Sequence, residues 1–110
     1  MQDFMEDTVS LKIKQTEVPA SVLMYLKKKT GSSLSEIKEK IKNKNYLIVL
    51  QHYRFKSLKT INQMRRDLMD FNLDVELFED GALSDPAYFK NLEARYYEEE
   101  KELGLLEEWG

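Results

Sequence analysis

Leu26-Lys27-Lys28-Lys29-Thr30-Gly31-Ser32-Ser33-Leu34-Ser35-Glu36-Ile37-Lys38 closes one helix and opens the next. Lys27, Lys28 and Lys29 suit a last helical turn, where cations complement the dipole. Gly31 can take the left-handed conformation that ends a helix. Ser33 and Glu36 then form a capping box: the Ser33 hydroxyl accepts from the Glu36 N–H, and the Glu36 carboxylate accepts from Ser33. Leu34, Ile37 and Ile41 fall on one face of the helix that follows, with Lys38, Lys40, Lys42 and Lys44 mostly on the others.

Working towards the N-terminus, Val22, Leu23 and Leu26 form the apolar stripe of the first helix. Pro19 suits its first turn, with Thr16 a cap a few residues earlier. Val9, Leu11 and Ile13 alternate with Ser10, Lys12 and Lys14, which predicts a half-buried strand. Working towards the C-terminus, Asn43 to Asn45 breaks the second helix. Tyr46-Leu47-Ile48-Val49-Leu50 is apolar without alternation and predicts a middle strand covered on both faces. Ser57 can cap a third helix carrying Leu58, Ile61, Met64, Leu68 and Phe71. Leu73, Val75 and Leu77 predict a third strand, and Asp80-Gly81 a turn. Asp85 caps a fourth helix with Pro86 at its first position. Phe89, Leu92, Tyr96, Leu103 and Leu106 share one of its faces, with Glu98, Glu99 and Glu100 on the wet side.

The expected fold is α+β: a small three-stranded sheet with helices packed on one face, in the order β-α-α-β-α-β, plus an added acidic C-terminal helix. The chain of 110 residues fits a single domain, 1–110, with a core over 8–81 and the added helix over 85–106. The fourth helix is expected to cross to the open face of the sheet and cover the two-sided middle strand.

Composition is that of a globular protein, 42% hydrophobic and 34% charged, without cysteine. Disulfides, thiol catalysis and Cys-based metal sites are therefore excluded. No apolar run approaches the length of a membrane span, and the acidic N-terminus lacks the regions of a secretion signal, so a cytoplasmic location is expected.

Charge is sorted along the chain. Residues 12–66 hold fourteen Lys and Arg against three Asp and Glu, whereas residues 67–110 hold three against fourteen. The formal net charge of −3 conceals this. Either the fold presents opposed fields to a partner, or the halves pair internally and largely cancel. If the first and third strands are neighbours, Lys12 and Lys14 face Asp74 and Glu76.

The stretch Leu26 to Lys38 resembles the C-terminal domain of the bacterial large-subunit ribosomal stalk protein, with a helix ending in Thr-Gly and a short Leu-x-Glu-x-Lys helix start. The element order is also similar, over about residues 8–79, and the Clp protease adaptor shares that topology. The resemblance implies this fold and a docking surface for translation factors. Lys27 matches the family's basic position, and Thr30, Gly31, Leu34, Glu36 and Lys38 match its motif. Pro19 and Met24 stand where the family has lysine, and Ser33 replaces its second glycine.

His52 is the lone histidine and has no motif around it, so it reads as structural or solvated. No calcium loop, zinc-protease motif or Gly-rich phosphate loop is present, and no catalytic residue, metal or cofactor is expected. The expected function is therefore binding of another protein without catalysis. In its most concrete form it is an inhibitor or immunity-type protein that neutralises a basic partner, such as a toxin, through its acidic helix. Glu93, Glu98, Glu99, Glu100 and Glu102 would supply the charge and Tyr97 and Trp109 the anchors. The alternatives are a translation-factor-associated module using Lys27 and Lys38, and an RNA binder using the broader basic segment.

Overall fold

The computed structural model describes residues 7–51 and 54–105. The elements are β1 (Thr8–Ile13), α1 (Ala20–Thr30), α2 (Leu34–Lys42), β2 (Ile48–Gln51), α3 (Phe55–Asp70), β3 (Val75–Glu79), β4 (Ala82–Ser84) and α4 (Pro86–Glu102). The fold is α+β, with one antiparallel sheet in the order β2-β1-β3-β4.

The signals around Gly31 act as read. Gly31 adopts φ 77° and its N–H donates to the Lys27 carbonyl. The Ser33 and Glu36 capping box is complete in both directions. Asp85 caps α4 by accepting from the Ala87 N–H at 2.8 Å, and Pro86 occupies the first turn. Thr16 does not cap α1, whose N-cap position is taken by Pro19 with no side-chain bond.

Among the described residues the sheet has four strands, not three. Asp80 and Gly81 have φ 52° and 83° between the paired residues Glu79 and Ala82. Two positive φ values in a two-residue loop match the twist of a hairpin, so the Asp-Gly pair folds β4 back onto β3. β4 is only three residues long and runs directly into the Asp85 cap, which leaves little alternation to read.

The two-sided middle strand is also corrected. β2 lies at an edge, and Val49 is 47% exposed. The central strand is β1, where Val9, Ser10 and Leu11 are all buried. An apolar run alone does not separate a central strand from an edge strand that carries apolar residues on its outer face. Here Tyr46 packs edge-to-face on Phe78 at 5.2 Å and supplies local cover without a helix.

α4 does not cross the sheet. It lies along α3 on the core side, and Phe89, Leu92 and Tyr96 join one cluster with Val9, Leu11, Ile13, Ile61, Met64 and Leu77. Asn62 of α3 donates to the Phe89 carbonyl at 3.2 Å and to Glu93 at 2.7 Å, which fixes the pairing. Leu103 falls outside this interface at 72% exposure. Leu106 lies outside the described residues.

Phe89 is fully buried. Phe89→Ala should therefore cost roughly 3–5 kcal/mol, read as a lowered urea midpoint with an unchanged slope. A loss below about 1 kcal/mol would remove α4 from the core.

Candidate functional site

The acidic helix is largely engaged by its own fold. Glu100, expected on the wet side as a partner contact, is only 5% exposed. Its Oε2 accepts from the Phe55 N–H at 2.6 Å and lies 3.4 Å from Arg54 Nε. It therefore caps α3 from a distant helix. This explains why α3 begins at Phe55 and not after the locally plausible cap Ser57. Glu93 accepts from Asn62, and Glu99 lies 3.7 Å from Arg95 one turn earlier on the same helix. Glu98 and Glu102 are exposed. Tyr97 is 40% exposed but its ring packs edge-to-face on Phe55 at 5.3 Å. The structure thus spreads these residues between interior and surface. Trp109 lies outside the described residues, as do His52 and Tyr53.

The sorted charges also meet across the sheet. β1 pairs with β3 so that Lys12 stands opposite Glu76, and the Lys14 N–H donates to the Asp74 carbonyl at 2.9 Å. The Lys12 ammonium sits over the rings of Tyr46 and Phe78, 4.8 and 4.9 Å from their centroids. Of the two possibilities, internal pairing is seen where Lys12 faces Glu76 across β1 and β3 and where Arg54 meets Glu100 at the start of α3.

The α1–α2 hairpin is different. Residues 20–42 hold six lysines and two glutamates. Glu36 is tied into the capping box, where the backbone and hydroxyl of Ser33 hold its carboxyl below the usual range. Lys27 and Lys38 are both exposed on this hairpin. Between the two helices and the preceding loop lies a groove of about 350 Å³, lined by Thr16, Glu17, Val18, Leu23, Lys38, Ile41 and Lys42. Its floor is Val18, Leu23 and Ile41, and Lys38 and Lys42 stand one helical turn apart on its rim. Lys27 lies one turn beyond Leu23 on α1 and is not among the residues that line the groove. Sequence reasoning marked Lys27 and Lys38 but missed the floor. Leu23 and Ile41 carry helix periodicity, which signals burial without saying whether it is complete, and Leu23 is only half-buried.

On the other side of α1, the Tyr25 hydroxyl donates to Asp67 at 2.5 Å, and Gln63 Nε2 donates to the same carboxylate at 2.9 Å. Burial, the Asp67 hydrogen bond and its charge push the Tyr25 phenol well above its ordinary value. For Asp67, burial acts upward, but hydrogen bonds from Tyr25 and Gln63 with nearby Lys29 and Arg66 outweigh it and hold the carboxyl low.

Among the described residues, no three His, Asp or Glu side chains converge as metal ligands would, and no helix is long and apolar enough to cross a membrane. No family model, curated protein or solved structure matches this chain.

The Tyr25–Asp67 bond sets a pH dependence. A depressed Asp67 contributes stability above about pH 4 that is lost as pH falls, and a raised Tyr25 contributes stability below about pH 10 that is lost as pH rises. Tyr25→Phe should lower mid-range stability by about 1 kcal/mol and flatten both limbs, as measured by urea unfolding from acid to alkaline pH. Unchanged limbs would show the bond to be absent in solution.

Proposed function

We propose that this chain is a non-catalytic protein-binding domain, and that its binding surface is the groove of the α1–α2 hairpin. The observation that carries the reading is the combination of an apolar floor, Val18, Leu23 and Ile41, with a rim of Lys38 and Lys42. A segment of a partner protein with an apolar side chain flanked by carboxylates fits that chemistry. The apolar group fills the floor, and the acidic groups meet the ammoniums, which steer association.

Two further points support the choice. The hairpin keeps an excess of lysines, whereas Glu93, Glu99 and Glu100 of the acidic helix already have partners within the chain. Lys27 and Lys38 are also the residues that the resemblance of Leu26 to Lys38 to the ribosomal stalk domain implies, and we include a translation-factor-associated role in the proposal on that ground. The inhibitor reading, through Glu98 and Glu102, has fewer unengaged carboxylates to act with.

Selection from a random peptide library should enrich Leu, Ile or Phe flanked by Asp and Glu. Titration calorimetry should show at least about tenfold weaker binding of the selected peptides to Lys38→Glu/Lys42→Glu, with Glu98→Gln/Glu102→Gln unchanged. Enrichment of basic peptides that need Glu98 and Glu102 would replace this reading with the inhibitor one. Tighter, steeply salt-dependent binding of polynucleotide to the same lysines would replace it with RNA binding.

A further inference from the structure

A second basic feature takes no part in that reading. The C-terminal turn of α1 and the N-terminal half of α3 enclose a cleft of about 370 Å³. Lys29, Lys56 and Lys59 line it together with Thr60 and Gln63, and Phe55 and Met64 give it an apolar side. The lysines are separated by up to thirty positions in sequence, and only the packing of α1 beside α3 brings them together. Among the described residues no carboxylate lines the cleft. Asp67, which interacts with Lys29, already accepts from Tyr25 and Gln63. The Lys59 ammonium lies 5.9 Å from the Phe55 ring centroid, so charge and aromatic surface adjoin.

We propose that this cleft binds a compact phosphate-bearing ligand of the mononucleotide class. Three ammoniums and a hydroxyl are donors suited to phosphate oxygens, with lysine acting as a point charge. The Phe55 and Met64 side gives a flat ring an apolar surface to lie on, and aromatic rings accept any base by its π-face. The volume falls within the usual range for small-molecule sites. The charge pattern selects a discrete ligand over a strand. Beyond Phe55 the neighbouring surface is mixed, with Glu93 and Glu98 beside Arg66 and Lys90, so the positive track stops there. A polynucleotide leaving the cleft in that direction meets carboxylates.

The test uses the whole chain, titrated with ATP and followed by calorimetry and by amide shifts in nuclear magnetic resonance. Saturable one-site binding is expected, with shifts at Lys29, Lys56, Lys59 and Thr60. Lys56→Gln/Lys59→Gln should weaken it at least about tenfold without lowering the thermal midpoint. These lysines are exposed, so the variant should fold. Lys28→Gln/Lys101→Gln, which removes the same charge elsewhere, should change affinity by less than about twofold. Tripolyphosphate should bind more weakly than ATP. No saturable binding, or equal loss in both double variants, would overturn the proposal. Tripolyphosphate binding as tightly as ATP would overturn the nucleotide class, and polyuridylate binding more tightly than ATP would overturn the discrete ligand.

Discussion

β1 is the constraint on which the other elements depend. Among the described residues it is the only strand whose central residues are closed on both faces, with Val9, Leu11 and Ile13 directed into the helical layer and Ser10 buried on the other side. Its backbone is paired along both edges, so residues 8–13 must meet residues 48–51 and residues 75–79 at once. Both ends of the β1–β3 ladder are clamped by an aspartate. Asp80 Oδ1 accepts from the Thr8 N–H at 3.1 Å, and Asp74 exchanges bonds with the Gln15 amide at 3.0 and 3.3 Å. Between the clamps Lys12 of β1 stands opposite Glu76 of β3, so part of the charge sorting serves the fold itself.

The same logic extends to the α3–α4 pair. A helix start leaves backbone N–H groups without intrahelical partners. In α3 the first of these is met by Glu100, a carboxylate near the far end of α4. The cap is tertiary, and it brings the basic start of one helix against the acidic end of another. Asn62 performs the neutral counterpart in mid-helix by satisfying a carbonyl and a carboxylate of α4. An acidic helix that resembles a binding face in one dimension thus devotes several of its polar groups to holding the structure together.

What remains on the surface is uneven. The α1–α2 hairpin keeps an excess of lysines, since β3 and α4, which carry many of the acids, pack against β1 and α3. A groove with an apolar floor runs between its helices, and a separate lysine cleft opens where α1 meets α3. The two sites share α1 but use different residues, so one can be changed without the other. The Tyr25–Asp67 bond stands between α1 and α3 and holds the second cleft's walls in place.

Local events follow from the order of residues alone. The Gly31 stop, the Ser33–Glu36 box, the Asp85 cap with Pro86, and the α+β order are all decided by side chains within a few positions of the backbone they satisfy. The Asp80-Gly81 turn was legible too, but β4 was not, since three residues carry too short an alternation. Long-range packing sets which strand is central, which face α4 covers, where α3 begins and which lysines converge. Each of these turns on a partner far away in sequence: Phe78 under Tyr46, Asn62 under Phe89, Glu100 over Phe55, and Lys29 beside Lys56. Periodicity records that a residue is buried, but the identity of what buries it is a property of the packed chain alone.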